Sequence, residues 1–154
     1  MPSRSGATRV GKMGAPLDAV RDLIESGPLA HLVTVNPDGS PQVTIVWVGV
    51  EDEELVSAHL LEHRKVRNVR RDPRVAISLE APGSNAVGMR DYAVLYGRAR
   101  VTEGGAPELL HRLAQVYVGP GTAFPPMPDP PPGYITRIRV ERIAGQGPWV
   151  PSGD

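Results

Sequence analysis

The chain has 154 residues, with 17 Lys and Arg balanced by 17 Asp and Glu, four His and no Cys. One domain fits this length, charge balance argues against a nucleic-acid binder, and the missing Cys excludes disulfides, thiolate metal sites and Cys nucleophiles. No apolar run reaches the ~20 residues of a membrane helix, and the basic opening MPSRSGATRVGKMG leads into no signal-peptide core, so the expectation is a soluble, cytoplasmic protein.

Residues 1–14 are expected to be a flexible lead, with Met13 as a second candidate start. The domain then runs over 15–149, and 150–154 form a tail. A first helix is predicted from Pro16 to Ser26, with Leu17, Val20 and Ile24 on one face and Gly27-Pro28 as its stop. LAHLVTVN and PQVTIVWVGV flank the turn Pro37-Asp38-Gly39-Ser40 and read as two strands. The second is apolar on both faces, with Val43, Ile45 and Trp47 on one and Val46, Val48 and Val50 on the other, as in a strand covered twice. Glu51 to Glu54 read as a solvated hairpin tip, followed by the short strand ELVSAHL.

A basic helix is predicted from His63 to Asp72, stopped by Pro73, and a strand from Arg74 to Ala81. The long strand Asp91 to Glu103 puts Tyr92, Val94, Tyr96, Arg98 and Arg100 on one face, and its Gly97 predicts a bend or bulge. A helix over 106–118 precedes residues 119–133, which hold seven Pro and are expected to be extended. The last strand is predicted from Tyr134 to Ile143. Six strands in consecutive hairpins with three short helices point to a small, mainly β, antiparallel barrel of α+β type.

Reactive groups are sparse. The four His lack metal-ligand spacing, no nucleophile elbow or phosphate loop occurs, and the carboxylates are scattered. An enzyme built this way takes its reactive atoms from an organic cofactor. The strongest local signal is HRKVRNVRRDPR, residues 63–74. A helix start after a strand offers unpaired N–H groups and partial positive charge near His63, Arg64 and Lys65, which suits one phosphate or carboxylate. A solvated basic face, neutralised by Glu51–Glu54 and Glu62, is the plainer account of the same residues.

LVTVNPDGSPQVTIVWV, KVRNVRRDPRVAISL, DYAVLYGRARV and ITRIRVERIAGQGPW together span most of residues 15–149. In these stretches the sequence resembles the pyridoxamine 5'-phosphate oxidase-like split-barrel flavoproteins, and within them the deazaflavin (coenzyme F420)-dependent reductases. The resemblance implies a six-stranded antiparallel split β-barrel with short flanking helices, a homodimer, and cofactor sites at the dimer interface. It implies that Lys65 and Ser57 hold the cofactor phosphate, with His63 where such proteins carry Arg and Arg64 shifted by one. It further implies that Gln42 and Thr44 touch the ring system, that Arg90, Asp91 and Tyr92 close over it, and that Val43, Ala58 and Asn68 lie at the same site.

The activity implied is hydride transfer between the deazaflavin and an unsaturated small-molecule acceptor, without nucleic acid or membrane partners. FMN is the alternative cofactor, and a non-catalytic carrier of a flavin, deazaflavin or hydrophobic ligand is the alternative role. The deazaflavin coenzyme carries the longer anionic tail, which the Arg run at 67, 70, 71 and 74 suits better. No catalytic residue is assigned; Tyr92, Tyr96, Tyr117 and His31 are the candidate proton donors. Phe124 and Met127 of the Pro-rich segment are candidates for one wall of the acceptor pocket.

Overall fold

The computed structural model describes residues 17–150. The expected flexible lead, and the expected tail beyond its first residue, lie outside the described residues. Three helices and seven strands follow one another as α1 (Asp18–Glu25), β1 (Ala30–Val35), β2 (Pro41–Val46), β3 (Gly49–Glu51), β4 (Glu54–His59), α2 (Arg64–Arg71), β5 (Arg74–Glu80), β6 (Tyr92–Glu103), α3 (Ala106–Tyr117) and β7 (Tyr134–Gln146).

All seven strands join one antiparallel sheet in the order β2-β1-β5-β6-β7-β4-β3. Its two edge strands, β2 and β3, are consecutive in the chain and separated only by Trp47 and Val48. Neighbouring Cα atoms lie ~3.8 Å apart, so two residues cannot bridge a flat sheet of this width. The sheet therefore curls round until its edges meet without pairing, and this is a split barrel.

The run PQVTIVWVGV, expected as one strand, is thus two, and the barrel has seven strands rather than six. A continuous strand here would have to pair as part of both edges at once. Val46 and Val48, at the break, both face the core, at 7% and 2% exposure. Val43 and Ile45 point outward and stay 60% and 57% exposed.

Curvature has a second source at Gly97. Tyr96 pairs with Arg142 but Gly97 pairs with Val140, so Glu141 is an extra residue bulged out of β7. A Cβ on Gly97 would fall on the Arg139 carbonyl oxygen, which is why glycine stands there. The alternation predicted for β6 holds. Ala93, Leu95 and Ala99 are buried, while Tyr92, Tyr96, Arg98 and Arg100 face out.

Ile24, Leu32, Leu55, Ile77, Leu95 and Ile138 fill the barrel. A smaller cluster of Val56, Leu109, Leu113 and Ile135 lies beneath α3. β4 is therefore covered on both faces, and Leu55, Val56 and Ser57 are buried in succession.

The acidic tip does not neutralise α2. Asp52 and Glu53 adopt left-handed φ values of 51° and 61°, which suit a tight hairpin turn. Glu51 accepts from Arg112 and Arg137 at 3.0 Å, Glu53 accepts from Arg21 at 3.0 Å, and Glu54 is paired with Arg100. All four of those arginines lie outside α2.

Candidate functional site

α2 forms because Val66 and Val69 bury one stripe against the barrel while its arginines stay in water. His63 is its extended N-cap residue and makes no side-chain capping bond, so the first N–H groups of the helix lie open. Of the cations around this start, Arg67 donates to the Glu62 carbonyl at 2.7 Å and Arg70 is paired with Glu62. Arg71 binds the Val35 carbonyl and the Asn68 side chain. Lys65, half-buried, has no carboxylate partner among the described residues. Burial holds its ammonium below the usual lysine range.

Lys65 and His63 lie at a cleft of about 510 Å³ whose lining is otherwise mostly apolar. Trp47, Leu61, Leu110, Phe124 and Met127 supply walls, and Ala58 and His59 reach it from the end of β4. The aromatic wall is built: Trp47 stacks on Tyr117, and Phe124 tilts against Trp47 with centroids 5.2 Å apart. The Pro-rich segment supplies one wall of this cleft through Phe124, Met127 and Pro131.

Partial burial, then Lys65 and Arg67, hold His63 below the ordinary histidine range. His59 is 5% exposed and its Nε2 lies 3.0 Å from the Thr136 hydroxyl. Burial, then the charges of Lys65 and His63, push its pKa down to about 3. No cluster of three metal-ligating side chains exists among the described residues.

The expected site residues divide into groups. His63, Lys65 and Ala58 come together at the cleft. Ser57 is buried next to Ala58 in the chain. Arg64 opens α2 on its exposed side, outside the lining, where it acts electrostatically on Asp38. Gln42 and Asn68 meet in a polar network: the Gln42 Oε1 accepts from Thr34 at 3.0 Å, and Asn68 Nδ2 donates to Thr34 at 3.0 Å and to Asn36 at 3.1 Å. That network pins α2 to β1 and β2. Thr44, next on the same face of β2, has a fully buried Oγ1 with no hydrogen-bond partner. Such an atom is costly unless something else occupies its lone pairs. Val43 faces outward from the same strand.

Arg90 and Tyr92 stand elsewhere. With Glu80 they line grooves on the β5–β6 side, and Arg90 lies 3.6 Å from the Glu80 carboxylate. Within one chain they do not reach the Lys65 cleft. Asp91 accepts from Asn85 at 2.9 Å. Of the candidate proton donors, His31 lines the groove with Arg90, Tyr96 lies under the Arg142 guanidinium, and Tyr117 gives its hydroxyl to the backbone. Sequence reasoning misses His59 and Trp47 as cleft residues. The available signal for the first is a histidine that ends a buried strand just before a basic helix start.

A curled antiparallel sheet with an open seam and an apolar, cation-ended cleft beside it defines a split barrel. The chain belongs to the pyridoxamine 5'-phosphate oxidase family, whose model matches residues 16–147. It is similar to a structure described as an F420 reductase, at 27% identity over 80% of this chain and 94% of that one, with a TM-score of 0.65. A conserved hypothetical protein from Mycobacterium tuberculosis is 29% identical over 88% of both chains, with a TM-score of 0.66. A heme-binding protein from Mycobacterium smegmatis, at 20% identity over 91% of this chain and 56% of that one, shares the fold with a TM-score of 0.61. No curated protein matches the chain. Among the described residues no helix is long and apolar enough to cross a membrane.

Proposed function

We propose that the protein is a deazaflavin (coenzyme F420)-dependent oxidoreductase that works as a homodimer and reduces an unsaturated small-molecule acceptor. The observation that carries this reading is Lys65: a half-buried ammonium without a carboxylate, at the charged end of an apolar, aromatic-walled cleft. Leaving a desolvated cation unpaired is unfavourable, and an anionic ligand tail is the partner that offsets this.

Lys65 and the open N–H groups of α2 would bind the anionic tail. Trp47, Phe124 and Met127 would orient a flat acceptor beside the cofactor and keep water out. When bound, the deazaflavin supplies a hydride. A second copy of the chain, seated on the exposed Val43 and Ile45 face of β2, would bring its own Arg90 and Tyr92 region toward the site.

The test is titration of the purified protein with coenzyme F420 and with FMN, followed by mixing the reduced complex with enones and quinones. Binding of the deazaflavin and acceptor-dependent return of its absorbance are expected. Tight FMN binding without deazaflavin binding overturns the cofactor, and cofactor binding without oxidation by any acceptor leaves a carrier.

A further inference from the structure

His59 is buried at the end of β4, yet it is one of the residues that line the cleft. One ring nitrogen, Nε2, meets the Thr136 hydroxyl at 3.0 Å. The other, Nδ1, has no hydrogen-bond partner among the described residues. It is also not among the fully sealed orphan atoms, of which Thr44 Oγ1 is the one found among those residues. A buried ring with one nitrogen tethered and the other unpaired but unsealed presents that nitrogen to the cavity it lines. The neighbouring wall is mostly apolar: Trp47, Leu60, Leu61, Phe124 and Met127.

We propose that His59 binds and orients the acceptor, its Nδ1–H donating a hydrogen bond to a carbonyl oxygen on an otherwise apolar, uncharged, flat molecule. This rests on reading the cleft as the acceptor pocket. In this arrangement the Thr136 hydroxyl donates to Nε2, and the ring carries its proton on Nδ1. The deazaflavin, when bound, would supply a hydride to the carbon β to the carbonyl, and the π pair would move onto the oxygen. The hydrogen bond from Nδ1 strengthens as that charge develops, and the α-carbon then takes a proton from water. The imidazole stays neutral throughout. A cationic acceptor would meet both a desolvated apolar wall and the Lys65 ammonium and be disfavoured.

Two probes of one shape isolate this contact: 2-acetylnaphthalene, which has the carbonyl, and 2-ethylnaphthalene, which has a methylene in its place. Calorimetric titration of the purified protein should show the ketone binding about tenfold tighter, as for one net hydrogen bond. His59→Phe should erase that preference while keeping the affinity for the hydrocarbon, and His59→Gln, which retains a donor, should restore part of it. Nitrogen NMR of the wild-type ring gives a readout that needs no variant to fold: Nδ1 should carry the proton, and the ketone alone should shift it. Equal affinities in the wild type, a preference that survives in His59→Phe, or no binding of either probe overturns the proposal. Failure of the protein to bind deazaflavin leaves this comparison intact, so the two readings fail separately.

Discussion

Trp47 lies face to face on Tyr117, with ring centroids 5.3 Å apart and planes inclined by 13°. The phenol beneath that stack reaches further. Its hydroxyl donates to the Pro28 carbonyl at 2.8 Å and accepts from the Val48 N–H at 3.0 Å. One side chain from the end of α3 therefore fastens the two residues between β2 and β3, where the barrel is split, to the entry of β1. Burial raises the phenol's pKa, which keeps its proton in place for the Pro28 bond.

Tyr117→Phe keeps the ring stack and removes both hydrogen bonds. The stranded Val48 N–H and Pro28 carbonyl should cost about 1–3 kcal/mol of folding stability. Urea denaturation of the variant checks this. The same variant should bind cleft ligands more weakly, because the Trp47 wall loses its tether; a variant as stable as the wild type would show that the seam is held by packing alone.

Much of this architecture is legible in the residues. Val66 and Val69, with Pro73 as the stop, mark helix α2; Asp38 and Gly39 mark the turn before β2; Gly97 marks the bulge. The division of β2 from β3 is not legible. The run Ile45-Val46-Trp47-Val48 is apolar at every position, so no change of pattern marks the break, and only the curl of the whole sheet demands one.

The site is legible in part, for a similar reason. Lys65 stands out as one of two lysines in the chain, and the wall formed by Phe124 and Met127 by its place in a Pro-rich segment. Gln42 and Asn68 come together across 26 positions, and His59 meets Thr136 across 77. Pairings at that separation depend on strand order, which local pattern does not encode.

Lys65→Ala should weaken binding of the anionic cofactor by roughly 1.5–3 kcal/mol, or about 10- to 150-fold, as for loss of one charged hydrogen bond. The fold should be unharmed, since Lys65 makes no ion pair among the described residues that its removal would break. Fluorescence titration with the deazaflavin, alongside thermal melting, measures both. Unchanged affinity would place the anion site elsewhere.

Ile45→Asp tests the assembly. Ile45 is exposed on edge strand β2, where an unprotected apolar face invites pairing or aggregation unless a partner covers it. Light scattering should give a dimer for the wild type and a monomer for the variant, with the same circular dichroism. Val46→Asp, one residue on, falls in the core and should unfold the barrel instead. A monomeric wild type would remove the partner from the proposed site.

Acid should act through His59. Its pKa is pushed from 6.5 down to about 3 in the folded chain, first by burial and then by Lys65 and His63. Below pH 6.5 the unfolded chain takes up a proton on this ring while the folded chain does not, so protons favour unfolding. The stability contributed by a neutral His59 is complete above pH 6.5 and is lost as pH falls toward 3, by about 1.4 kcal/mol per pH unit. Carboxylates add their own losses in that range, so the useful quantity is the difference between the wild type and His59→Phe. Urea denaturation at about pH 7, 6, 5 and 4.5, spanning the window of the histidine shift, should show the variant gaining on the wild type at each step below 6.5. A constant difference across the series would mean that His59 takes up its proton in the folded state, and the ring would then not be the neutral donor that the cleft requires.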